Sequence, residues 1–197
     1  MLSPRHTAQD GTRPFTSIKT GCAIPTQCRL QWDALVQATL DATVNSIEFI
    51  ASARVRSISV DLNAVVLCRD DGRHLLDIVP ARTLRDVEDE GLALIALSEM
   101  ALPTIVLTAA DIQREPVFSN CRIVWSYRAH PVGIGMRLQI LQILSDEGPM
   151  SLSGLLSAVR SERDPGAAVM ALACADIVEL DLKSIPLGPM TPVRCRE

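Results

Sequence analysis

The chain has 197 residues, 48% of them hydrophobic but only six aromatic (two Trp, one Tyr, three Phe), and a formal charge of −4. That length suits one ordinary domain, or a compact domain with an appendage of about 60 residues, around an interior of Leu, Ile, Val and Ala. Residues 1–56 carry six basic and four acidic residues, 57–132 seven and eleven, and 133–197 six and eight, so a patch suited to nucleic acid is expected in the first third.

Cys22, Cys28, Cys68, Cys121, Cys174 and Cys195 form no CxxC pair, and His6, His74 and His130 complete no zinc-ligand spacing, so free thiols in a reducing compartment are expected. The opening MLSPRHTAQDGTRPF lacks an apolar run, and no segment reaches the ~18 apolar residues of a membrane span. The expectation is a cytoplasmic chain without membrane contact.

Residues 1–14, polar and interrupted by Pro4, Gly11 and Pro14, are expected to form a mobile tail. Leu30, Ala34, Leu35 and Ala38 then recur near helical spacing and predict a helix of about three turns from Thr26 or Gln27, with Thr26 the better N-cap. VNSIEFI and VRSISVDLNAVVLC are β-branched strand runs, and the unbroken Val65-Val66-Leu67 suits burial on both faces. RDDG closes a hairpin into HLLDIV, with Asp71-Gly72 as the tight-turn pair.

Pro80 ends that strand, and ARTLRDVEDEGLALIALSEMAL places Leu84, Val87, Leu92, Ile95 and Met100 at helical intervals before Pro103. The acidic run DVEDE, residues 86–90, reads as solvated first turns of that helix, where negative charge suits the macrodipole. TIVL is a short buried strand, joined to the preceding one by a parallel crossover, and Thr108 with Asp111 forms a capping box. From Pro131 the pattern is helical: MRLQILQIL, SLSGLLSAV and PGAAVMALACADI, followed by VELDL and TPVRC as a small hairpin, a winged-helix order. The third of these helices has no Arg, Lys, Asn or Gln, so core packing rather than base readout is its expected role. Trp125 and Tyr127 are expected to pack between the two parts.

The order of elements and several motifs resemble the TnsA-like transposon endonucleases, which pair a PD-(D/E)xK nuclease domain with a small winged-helix domain. FTSIKTG supplies Phe15, Ser17, Lys19 and Gly21 of one motif; REPVFSNCRIVWSYRAHPV supplies Glu115, Pro116, Asn120, Tyr127 and Arg128 of another; the likeness spans residues 15–195. It implies an α/β fold with a restriction-endonuclease-like mixed sheet flanked by helices over 15–130, and a winged-helix-like unit over 133–197.

In that family, two carboxylates on adjacent strands hold Mg²⁺, which generates hydroxide and neutralises charge on the phosphate, while a lysine steadies the reaction. Laid on the family pattern, RLQWD puts Gln31 at the helix glutamate, Asn63-Ala64 at Pro-Asp, and Asp77-Ile78-Val79 at Glu/Asp-x-Lys. Asp77 alone keeps a good ligand, so no metal or other cofactor is expected. Strand alternation points Asp61 to the opposite face, which makes it a poor stand-in, and Arg82 or Arg85 could swing back in place of the lysine but, staying protonated, would restore no second metal ligand. Asp77 reads either as a remnant ligand or as a carboxylate bonded to backbone N–H groups.

The resemblance thus implies a catalytically inactive homologue serving as a scaffold for DNA or a protein partner, with Lys19, Arg29, Arg54 and Arg56 the candidate phosphate contacts. The alternatives are an active subunit of a heteromeric transposase using non-standard ligands, and an adaptor or regulator acting through the C-terminal unit.

Overall fold

In the computed structural model, which describes residues 13–159 and 164–196, the chain opens with a loop closed on itself. Phe15 N–H donates to the Ile24 carbonyl at 2.7 Å and Ile24 N–H returns to Phe15 at 2.9 Å. The expected tail lies outside the described residues as far as residue 12. Helix α1 (Arg29–Leu40) follows, starting later than its apolar spacing suggests. Thr26 is not the N-cap: its hydroxyl is spent on the Arg13 carbonyl, at 2.9 Å, and Cys28 takes the cap position with no side-chain bond. Gln31, Asp33, Ala34, Leu35, Val36, Ala38 and Thr39 are all buried, as suits a helix enclosed on more than one side.

Strands β1 (Val44–Val55) and β2 (Ile58–Arg69) make a hairpin, with Arg56 at φ +55° in its turn, and β3 (Gly72–Ile78) adds antiparallel to β2. Asp70 and Asp71 occupy the second turn, whereas Gly72, at φ +125°, already pairs with Arg69; the turn is displaced by one residue from the Asp71-Gly72 expectation. A 3-10 turn (Val79–Ala81) and an extended stretch lead to α2 (Val87–Glu99), after which β4 (Thr104–Leu107) lies parallel to β3. Helix α2 starts six residues after the predicted Ala81, because Asp86 accepts from the Asp89 N–H and sets the N-terminus there. TIVL is an edge strand rather than a buried one, with Val106 51% exposed.

The result is a four-stranded mixed sheet, order β1-β2-β3-β4, flanked by helices. Val65, Leu67, Leu76 and Ile78 belong to the main core with α1, while Val60, Leu62 and Ala64 on β2 join Ala93 and Ala96 of α2 in a second, smaller core. Val65, Val66 and Leu67 are buried together, as their unbroken apolar run requires.

Helix α3 (Ala109–Ile112) carries the expected capping box of Thr108 and Asp111, and α4 (Val117–Ser126) follows. The last part holds α5 (Ile134–Glu147), β5 (Met150–Ser151), α6 (Leu152–Ala158), α7 (Pro165–Cys174), β6 (Val178–Leu180) and β7 (Pro192–Cys195). Its three strands form an antiparallel sheet in the order β5-β7-β6. The main core is continuous from Phe15 to Val193, and α7, buried from Ala167 to Cys174, packs against α1, α4 and α5. All six cysteines are free thiols, and burial pushes Cys121 and Cys174 up to about 12. Among the described residues, no helix is long and apolar enough to cross a membrane.

Candidate functional site

Between α2 and the sheet lies a cleft of about 800 Å³ that collects Gln31, Ala64 and Asp77 from three separate elements. Val65 pairs with Leu76 as the last pair of the β2–β3 ladder, and Ala64 and Asp77, each next along its strand, both line the cleft. Two carboxylates at such positions could share a cation. Here one of the pair is a methyl group.

The remaining carboxylate is already engaged. Arg82 Nε donates to Asp77 Oδ1 at 3.0 Å and Nη2 to Oδ2 at 2.5 Å, a two-pronged pairing that takes both oxygens. Arg82 thus supplies the positive charge that a metal would bring, and the carboxylate in turn holds the guanidinium more firmly protonated than usual. Backbone N–H groups, the expected partners of a structural carboxylate, are replaced by this side chain.

Gln31 is turned toward its own helix start, where its Oε1 accepts from the Gln27 N–H at 2.6 Å. Val79 is outside the cleft lining, in the 3-10 turn that Pro80 imposes after β3, and is 37% exposed. Neither arrangement offers a donor to a cation at Asp77. Among the described residues, no three His, Cys, Asp or Glu side chains are grouped to hold a metal ion. Two donor-free side chains and a carboxylate sealed by arginine do not fit a Mg²⁺ site.

Strand alternation fails at this point of β2. Ile50 pairs with Ala64 but Ser52 pairs with Asp61, so Leu62 and Asn63 face a single residue of β1 in a bulge, with Asn63 at φ +50°. Asparagine tolerates this left-handed conformation; a proline, fixed near −65°, could not stand in it. Arg85 donates from Nη2 to the Asp61 and Leu62 carbonyls at 3.1 and 3.0 Å and pairs with Glu90 at 3.3 Å, tying the bulged strand to the start of α2. Of the two arginines positioned to swing back, Arg82 reaches the carboxylate and Arg85 braces the backbone. Asp61 is exposed and outside the cleft lining.

The candidate phosphate contacts separate into two groups. Lys19 is 5% exposed and bonded to the Asp41 carbonyl at 2.9 Å and to Asp176 at 3.1 Å, so it is a buried tie between the two parts of the chain and not a surface cation. Arg29 is exposed but pairs with Asp33 one turn on, at 3.3 Å. Arg54 and Arg56 are exposed at the tip of the β1–β2 hairpin, away from the cleft lining. The structure does not bring the four together.

Burial pulls the Lys19 ammonium below its ordinary 10.5, with Asp176 opposing the shift. The unfolded chain therefore holds this proton more tightly, and stability contributed by this group rises with pH up to 10.5. In urea unfolding, the stability of the native chain relative to Lys19→Met is expected to increase as pH is raised toward that value. A difference that stays flat or declines would contradict it.

Compared with protein-family models and with curated protein sequences, the chain has no significant match. What the site can do rests on its own geometry.

Proposed function

We propose that the chain is a catalytically inactive relative of the TnsA-like endonucleases, keeping a restriction-endonuclease-like core as a scaffold for binding DNA or a protein partner. The observation that carries this reading is Arg82 bound through both prongs to Asp77, in a cleft that Ala64 also lines. That pairing supports a reading in which the charge demand of a former cation site is met by the protein itself.

Further support comes from the order helix, three-stranded antiparallel meander, helix, parallel fourth strand, which suits a core of that class. The C-terminal part, three helices with a β5-β7-β6 sheet, suits a winged-helix-like unit. Its third helix is buried, however, and Lys19 with it, so the observations favour contact with a protein over groove reading by α7.

Supercoiled DNA and end-mimicking duplexes incubated with Mg²⁺ or Mn²⁺ under single-turnover conditions test the reading. No cleavage above a protein-free control is expected. Cleavage that disappears in Asp77→Ala would overturn it.

A further inference from the structure

We propose that α2 and the cleft beside it form a docking surface for a basic amphipathic segment of a partner protein. Leu84 is 99% exposed, Val87 92%, Leu94 58% and Ile95 47%, a concentration of bare apolar side chains on and just before one helix. Val87, Gly91, Leu94 and Ile95 recur at helical spacing on one stripe, and a Cβ built at Gly91 meets nothing within 4 Å. A facing backbone can therefore approach closely at mid-helix. Leu94 also lines the cleft together with Leu97, which continues the apolar stripe inward.

Charge selects the occupant. From Asp86 to Glu99 there are five acidic residues and no basic one, and Glu88 and Glu99 are exposed beside the stripe. Within the cleft, Arg82 and Arg85 are matched by Asp77 and Glu90, leaving no surplus positive charge for phosphate. A nucleic acid is repelled from this face, and a second copy would set like charges against each other. A partner with apolar anchors flanked by Lys or Arg satisfies both the stripe and its acidic rim. The surface is independent of whether the site beneath it is inert, so DNA cleavage and peptide binding fail separately.

The probe is a fluorescein-labelled peptide, LKKLLKLLKKLLKL, titrated against the full chain by fluorescence anisotropy. Saturable binding is expected, weakened at least about tenfold by Leu94→Asp and comparably by Val87→Asp, the share of affinity that one buried apolar side chain carries. Both variants add negative charge, so association driven by charge alone would be unchanged or tighter. Glu88→Lys is expected to weaken binding, whereas Leu138→Asp, at an exposed apolar position on α5, leaves it intact. Absence of saturable binding, unchanged or tighter binding in both aspartate variants of α2, or self-association through this face in light scattering would overturn the proposal.

Discussion

Phe15→Ala is expected to destabilise the chain by about 3–5 kcal/mol, the range for removing a fully buried aromatic ring. Phe15 has no exposure; its ring meets Trp32 edge-on at 5.1 Å and stacks on Trp125 at 5.6 Å with an 18° interplanar angle. Half of the six aromatic residues thus meet at one point, where an N-terminal loop, α1 and α4 converge. The backbone of Phe15 closes the loop with Ile24, so the protein cannot readily collapse into the space left by the ring. Guanidinium unfolding followed by tryptophan fluorescence measures the loss, and Phe15→Leu, which retains much of the volume, is expected to cost distinctly less. A loss under 1 kcal/mol for the alanine variant would show that this cluster is not where the parts of the fold are joined.

The second large effect is expected at Asn120, which is 2% exposed on α4. Its Nδ2 donates to the Leu182 and Ile185 carbonyls at 3.0 and 2.8 Å, and its Oδ1 accepts from the Leu187 N–H at 2.8 Å. One amide therefore satisfies three backbone groups of the loop between β6 and β7, and alanine would leave them without partners. At about 1–3 kcal/mol for each buried group left unpaired, a total near 3 kcal/mol is expected for Asn120→Ala. In a chain of this size that corresponds to a melting temperature lower by roughly 6–12 °C. Asn120→Asp should be at least as damaging, because it sets a carboxylate oxygen against two carbonyls. If the aspartate variant melted with the native chain, the bonding assigned to this amide would be wrong.

The Phe15 cluster joins elements within the N-terminal part, and Asn120 ties that part to the C-terminal one. The seam also carries Lys183 on Asp41 at 2.9 Å and Arg196 on Asp176 at 3.4 Å, with Lys19 buried beneath. Burial raises the Asp41 carboxyl, but hydrogen bonds from Lys183 and Thr43 outweigh it and leave the group below its ordinary value. Lys19 and Asn120 were both legible as motif residues, yet their tasks were not: a lysine in a polar loop reads as a surface cation until long-range packing brings Asp176 to it. Helix α4 went unassigned for a related reason. Its buried face is made by Asn120 and Cys121 as well as Val124 and Trp125, and a polar residue serving the core interrupts an apolar period.

By itself the sequence determined those features that depend on near neighbours in the chain. The unbroken Val65-Val66-Leu67 run, the Thr108–Asp111 box, the turn into β3 and the helical periods of the C-terminal part are each decided within a few residues by backbone preference and side-chain alternation. Only the tertiary structure decided that Val87, Leu94 and Ile95 face outward, because α2 meets the sheet through Ala93 and Ala96 with Leu92 and Leu97 beside them. It likewise decided the bulge at Asn63, which cancels the alternation from which the orientation of Asp61 was read. Most consequentially, it placed Arg82 on Asp77 in a cleft that Ala64 also lines. An arginine and an aspartate can be recognised along a chain, but whether the one takes both oxygens of the other depends on groups that meet only when strand, turn and helix have packed.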